Sequence, residues 1–426
     1  MSTPHPLIPT AACAGILVAS YPSLLPRSPL VAALVTALFC AAGTLLATAL
    51  VGMRERRHGA RPVCAHPVCA HPVCARAGRT ALATATVVSV GATVAGGHWQ
   101  ALLRDEIAAA TGTPPTGPLF AWQWAAVVAG PALAVGAAII WCPRVTAIGA
   151  ALVAALVCGH LSVADAWARS PRAPGQVLYS PLPSSGESAS DLDRRARALA
   201  DRWTRAHPDP GSPLVIAVPT GSGWVDPDMV DGVRLRWGPR VTMLALQYAD
   251  APSWRVFTAD RDSAGRSAIT LLRAVIAAAP RDGLPPIYLY GQSLGAVGAD
   301  DAREWAQTHA RDAIAGTVLA GMPAGSVAAR SATPRTIIAN HSDPVTRWSP
   351  ALLWRPARSP DNVIPTGPRL SAPPWLPVVS FVQTSIDLIA SLDGPAGTGH
   401  SYGTGQGRLI GPPAERHPTT ITSTDR

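Results

Sequence analysis

The chain of 426 residues contains no lysine, and all 35 of its basic residues are arginine. Alongside abundant Ala, Gly and Pro this reads as codon bias and carries no functional information. Phenylalanine and tyrosine are scarce, at 4 and 6, and only 14% of the residues are charged. No cysteine follows Cys158, so the rest of the chain needs neither a disulfide nor a thiolate metal site and can fold on either side of a membrane. The net charge of +9 has no basic face interleaved with aromatics, which argues against a nucleic-acid partner. Low charge combined with 48% hydrophobic residues is too apolar for an ordinary soluble chain of this length and predicts a membrane portion.

The apolar residues concentrate in a first domain, residues 1–169. Its runs are Leu7–Ser20, Leu30–Val51, Ala81–Gly96, Ala121–Trp141 and Val145–Val163, at or near the roughly 20 residues that cross a bilayer. Leu30–Val51 carries no charge, whereas the first and third runs are short or Ala-rich, so four or five spans are open. The start "MSTPHP" lacks the basic residues of a cleaved signal peptide. Residues 1–170 hold ten Arg against four acidic residues, six of those Arg in "MRERRHGARPVCAHPVCAHPVCARAGR". Basic residues beside a span resist translocation, so that loop is assigned to the cytoplasm. With five spans, "SYPSLLPRSP", "HWQALLRDEIAAATGTPPTGP" and everything beyond residue 170 are expected outside; losing one span reverses that last assignment. Only His160 and Asp165, near the end of the last run, are ionisable, which favours a multi-pass anchor over a transporter core.

The cytoplasmic loop repeats "PVCAH", setting Cys64, His66, Cys69, His71 and Cys74 at metal-ligand density. A Pro in every repeat and no second shell make a poor tetrahedral site, so it is read as a tolerated repeat, and no metal or cofactor is expected.

Residues 170–190 read as a Pro/Ser linker, 191–405 as an α/β domain and 406–426 as a disordered tail. Strand candidates are 213–221, 241–248, 287–291, 315–321, 335–341 and "PVVSFVQTS" at 377–385, separated by helix-length segments. They are free of charge or nearly so and rich in β-branched residues, as in a mostly parallel sheet covered by helices on both faces. The expected fold class is an α-helical transmembrane bundle followed by this sheet domain.

"IYLYGQSLGAVGADD" carries Gly-x-Ser-x-Gly between a strand and a helix pattern, the context in which the serine becomes a nucleophile. Flanking glycines let strand and helix approach, and the helix N-terminus favours developing negative charge at Ser293. A serine hydroxyl needs a histidine base and an acid to orient it, in the chain order Ser, Asp, His. Asp343 in "NHSDPVTRWSP" and His400 in "GPAGTGHSYG" suit those roles; His341, His309 and His417 compete as base, and Asp361 and Asp387 as acid. The oxyanion would be met by the backbone N–H of Leu294 and by donors such as Gly221 and Ser222 in "PTGSGWVDP", which is equally explained as a plain turn. Of the tryptophans near these motifs, Trp224 and Trp354 are expected in the core, with Trp254, Trp348 and Trp375 open between core, acyl pocket and bilayer rim.

The stretches "SYPSLLPRSPLVAA", "HWQALLRDE", "PTGSGWVDP", "LQYADAPSW", "YLYGQSLGA", "HSDPVTRWSPALLW" and "GTGHSYG" occur in this order between about residues 18 and 402. In them the chain resembles the membrane-anchored α/β-hydrolases of actinobacteria, which join an N-terminal multi-span domain to a C-terminal α/β-hydrolase domain. The resemblance implies a serine hydrolase with Ser293 as nucleophile, and Asp343 and His400 fall in its motifs. Departures are Gln292 where Glu is common, a shortened linker, and "LAGMPAGSVAARSATPR" without the usual Trp and double Pro, which bears on substrate specificity. The expected activity is cleavage of an ester, thioester or lipid-linked small molecule beside the bilayer. The alternatives are acyl transfer through the same triad, or a non-catalytic binding or transport protein.

Overall fold

The computed structural model describes residues 3–57, 68–69, 72–117, 119–141, 176–183, 188–206, 211–279, 283–328, 334–358 and 362–412. The chain divides into two compact units, one of Met1–Ala166, His341–Ala357 and Gly367–Ser401, the other of Trp167–Asn340, Arg358–Thr366 and Tyr402–Arg426.

The second unit is built on a parallel sheet of seven strands: β1 (Val177–Ser180), β2 (Leu214–Val218), β3 (Thr242–Leu246), β4 (Ile287–Gln292), β5 (Ile314–Ala320), β6 (Thr336–Asn340) and β7 (Val363–Thr366). Their order across the sheet is β1-β3-β2-β4-β5-β6-β7. Strand residues alternate between two cores, as the pleat requires. Leu214, Ile216, Leu244, Ile287 and Leu289 face α5 (Ala189–Ala206), α8 (Ser263–Ala277) and α9 (Leu294–His309). Val215, Ala217, Met243, Tyr288 and Tyr290 face α6 (Pro227–Trp237). The start of α6 follows from local chemistry: the Asp226 side chain accepts the Asp228 N–H, and Pro227 occupies the first turn, where its missing N–H costs nothing. Between β2 and β4 the strand order reverses direction, and at such a switch point the loops after the strands part to leave a crevice. The loop after β2 and the turn after β4 meet there.

The first unit contains α1 (Leu7–Ser20), α2 (Pro29–Arg57), α3 (Pro72–Thr111), α4 (Phe120–Trp141) and, later in the chain, α10 (Val379–Asp387). Between α6 and α8, α7 (Ser253–Ala259) belongs to the sheet unit, as does α11 (Gly405–Arg408). Among the described residues two helices are long and apolar enough to cross a membrane, over Pro29–Arg54 and Arg76–Thr111. α1 is apolar but has 14 residues.

Several sequence expectations change. The run Ala81–Gly96 lies inside the 40-residue α3, which continues through most of the stretch expected as an outer loop. Ala, Gln, Leu, Arg and Glu all propagate a helix, and at 1.5 Å per residue α3 is about 60 Å long, twice a hydrocarbon core. The sixth strand candidate, "PVVSFVQTS", is α10, whose buried Gln383, Thr384 and Asp387 have the spacing of one helix face. His400 therefore follows a helix, not a strand. The linker 170–190 contains β1, and β7 was missed because Pro365 weakens its pattern; Pro is tolerated there because β7 is an edge strand. The tail expected from residue 406 begins as structure: Ile410 is buried, and its carbonyl accepts the Trp237 indole N–H at 2.8 Å. Val145–Val163, His160, Asp165, Asp361 and His417 lie outside the described residues, as do the side chains of the Cys/His repeat.

Candidate active site

In the sheet unit, the chain passes from β4 to α9 through one residue. Ser293 N–H donates to the Ala320 carbonyl at 3.0 Å, extending the ladder toward β5, while Ser293 C=O accepts the Ala296 N–H at 3.0 Å and opens the helix. A turn this tight forces Ser293 to φ 56° and ψ −126°. For a residue with a side chain such a conformation costs about 1–3 kcal/mol and persists only where the surroundings impose it. Both glycines of the motif are required by close approach: a Cβ on Gly291 would collide with the Gly295 carbonyl, and one on Gly295 with the carbonyls of Val218 and Pro219. The same contact brings the start of α9 against the end of β2.

Beneath the turn lies a buried polar chain. Tyr290 hydroxyl donates to Gln406 Oε1 at 2.5 Å, and Gln406 Nε2 donates to Asp226 Oδ2 at 2.7 Å. Burial pushes the Asp226 carboxyl up, and the hydrogen bond from Gln406 opposes this. The sequence reading missed this network because Gln406 falls in the segment expected to be disordered.

In the loop after β2, Thr220 N–H donates to Trp224 C=O at 3.0 Å and Gly223 N–H to Thr220 C=O at 2.8 Å. Gly221 N–H donates to Ser253 Oγ at 3.1 Å, which removes it from the expected oxyanion donors. Ser222 supplies the remaining amide of Thr220–Gly223. Leu294 opens α9, where a backbone N–H has no acceptor within the helix.

In the helical unit, Asp343 is fully buried, and both oxygens of its carboxylate are engaged. Oδ1 accepts the Val345 N–H at 2.8 Å in a turn of its own sequence, and Oδ2 lies 2.8 Å from His400 Nδ1. An ionised carboxylate only accepts, so Nδ1 is assigned the proton and Nε2 the lone pair. The backbone fixes the imidazole further: His400 N–H donates to Ser391 C=O at 2.6 Å, and Gly399 N–H to Ser342 Oγ at 2.9 Å.

Residues 184–336 and 327–409 match the Alpha/beta-hydrolase family, and residues 21–170 match the Alpha/beta-hydrolase family N-terminus. The chain belongs to the alpha/beta-hydrolase family. No curated protein and no solved structure matches it. Membership supports hydrolase- or acyltransferase-type chemistry for this alpha/beta-hydrolase, and its parallel sheet with flanking helices fits that fold.

The rival residues have other surroundings. Asp387 is ion-paired with Arg27 at 2.7 Å. The His309 ring stacks on Trp305 on α9, centroids 4.8 Å apart. His341 has its pKa lowered by burial and by Arg369 and Arg347, and its carbonyl accepts from Arg347 at 2.7 Å. Of the candidate bases and acids that are described, Asp343 and His400 are the two brought together. Trp354, expected in the core, is 64% exposed, and Leu352 beside it is buried in its stead. Trp254 is also exposed and Trp224 half-buried; Trp348 and Trp375 donate to Ser385 Oγ and the Leu352 carbonyl.

Proposed function

We propose that this alpha/beta-hydrolase is an integral membrane serine hydrolase, multi-pass and with its catalytic residues on the extracytoplasmic side, acting on a carboxylic ester or thioester. Ser293 Oγ attacks the carbonyl carbon while His400 Nε2 takes the hydroxyl proton. Asp343 holds the Nδ1–H and stabilises the imidazolium that forms. The tetrahedral oxyanion is met by the N–H groups of Leu294 and Ser222. His400 then protonates the leaving group, and water activated by the same imidazole hydrolyses the acyl-enzyme. Tethering beside a bilayer favours lipid or envelope-linked acyl substrates, whose local concentration is highest there.

The observation that carries the reading is the positive φ of Ser293 at the strand-to-helix junction, a strain that a structural turn could shed by placing glycine at that position. Support also comes from the His400–Asp343 hydrogen bond and from the Ser, Asp, His chain order. The test is labelling of the detergent-solubilised protein by a fluorophosphonate probe. Wild type should label, and Ser293→Ala and His400→Ala should not; a folded wild type that takes no probe would sink the reading. Product analysis with added alcohols then separates hydrolysis from acyl transfer.

A further inference from the structure

Two N-terminal stretches that the proposed chemistry leaves unused, "SYPSLLPRSP" and "HWQALLRDE", meet inside the helical unit around a buried ion pair. Arg27 is 4% and Asp387 1% exposed. The Arg27 guanidinium donates to Asp387 Oδ1 from Nη2 at 2.7 Å and from Nε at 3.2 Å, and its Nη2 also reaches the Gln383 carbonyl at 3.2 Å. Asp387 Oδ2 accepts the Leu24 N–H at 2.8 Å. Burial pushes the Asp387 carboxyl up, and Arg27 opposes this.

Arg27 is itself held from α3. Its N–H donates to Gln100 Oε1 and its carbonyl accepts from Arg104 Nη2, both at 2.6 Å. Trp99 Nε1 donates to the Ser23 carbonyl at 3.0 Å, and Gln100 Nε2 to Ser23 Oγ at 2.8 Å. Nearly two turns further along α3, the Glu106 carboxylate accepts both the backbone N–H and the hydroxyl of Ser371. Tyr21 hydroxyl donates to the Pro374 carbonyl at 2.7 Å. The segment Gly367–Ser401 is thus fastened to the N-terminal helices by polar contacts along much of its length.

That segment carries His400. Downstream of Asp387, Ala390 N–H donates to the Asp387 carbonyl at 3.2 Å, and the carbonyl of Ser391, the residue after Ala390, accepts the His400 N–H. At the other end of α10, Val378 is held at φ 62°, a strained conformation for a β-branched residue. A buried ion pair adds little net stability over an apolar pair of the same shape, but removing one partner is strongly disruptive.

We propose that the N-terminal helices are a working part of the catalytic apparatus, with Arg27, acting through Asp387, as a positioning residue for the loop that presents His400. The anchor role expected from the sequence is then incomplete. The inference rests on the Ser293–His400–Asp343 reading.

The test uses full-length protein in detergent, comparing wild type with Arg27→Ala, Arg27→Lys, Asp387→Asn and Glu106→Gln. The rate of fluorophosphonate labelling is measured against probe concentration and pH, and folding is followed by thermal melting. Arg27→Ala and Asp387→Asn should lower the maximal rate about tenfold or more, because small misplacements of a reacting group are that costly, with half-saturation unchanged. The acidic limb of the pH profile should move to lower pH, since a loosened Asp343–His400 pair stabilises the imidazolium less. Arg27→Lys should recover part of the rate, and Glu106→Gln should lower it about threefold. Folded variants with wild-type rate and pH profile would overturn the inference while leaving the triad intact. If Arg27→Ala and Asp387→Asn fail to fold, Glu106→Gln decides: a wild-type rate overturns the inference and a reduced rate with the shifted limb supports it. A wild type that takes no probe, or a Ser293→Ala that does, removes the functional reading and this inference with it.

Discussion

Ser293 owes its conformation to residues close to it in sequence or in the adjoining strands: Gly291, Gly295, the Ala296 N–H and the Ala320 carbonyl. His400 sits in a glycine-rich loop with little regular structure, held by Ser391, Ser342 and Asp343, and through Asp387 by Arg27, far away in the chain. The elbow is imposed by sheet and helix geometry, so it forms wherever that local pattern folds. The loop has no such intrinsic preference, and its shape comes from hydrogen bonds to Ser391, Ser342 and Asp343, residues that lie outside it. Ser293 and His400 are thereby placed under different structural control.

Substitutions can break this contrast or sharpen it. The largest effect is expected within the histidine's own pair. Asp343→Asn keeps the shape of the carboxylate but presents an amide to Nδ1, and should lower kcat about 10⁴-fold in a protein that still melts near the wild-type temperature. A loss of less than about tenfold would mean that Asp343 does not orient the base. Next come the two crowded glycines. Gly295→Ala drives a methyl into the Val218 and Pro219 carbonyls and should cost about 3 kcal/mol in urea unfolding. Gly399→Ala, at φ 54° with its added methyl against the Ser391 carbonyl, should slow labelling about tenfold or more while altering unfolding less than Gly295→Ala does. Equal effects of both on unfolding would erase the distinction between elbow and loop.

The smallest expected effect is on the elbow helix alone. Burial, together with the neighbouring charges of Asp300, Glu304 and Asp262, pushes the Asp301 carboxyl up to about 6. The folded state therefore holds this proton more tightly than the unfolded chain, and stability falls as pH rises from about 4 through 6. Asp301→Asn should raise the melting temperature by about 2 °C at pH 8, with no gain at pH 4 and an unchanged labelling rate. A gain that is the same at both pH values would show that the carboxyl is not repelled.

Much of the sheet domain was legible. Five of the six strand candidates are strands, because buried parallel strands are runs of apolar, β-branched residues that few other elements resemble. The Gly-x-Ser-x-Gly motif was enough to expect Ser293 in a strand-to-helix turn, whereas chain order only narrowed the acid and base to a few candidates that included Asp343 and His400. The sixth candidate became α10 because nine apolar and polar residues in a row are compatible with either period. β1 and β7 escaped notice because each has only four residues and is completed by a neighbour. Gly221, expected as an oxyanion donor, has its amide occupied by Ser253, a residue distant in sequence.

The sequence by itself determined an α/β sheet domain with Ser293 in a strand-to-helix turn, and an apolar N-terminal region, because these follow from hydrophobic period, run length and the steric demands of glycine. Only the tertiary structure decided that His341–Ala357 and Gly367–Ser401 pack with the N-terminal helices, and that Asp387 belongs to Arg27 while Asp343 belongs to His400. A carboxylate carries no local signal of its partner. Which cation or imidazole it meets is settled by burial, where an unpaired charge is too costly to keep and the fold must bring a counter-charge to it.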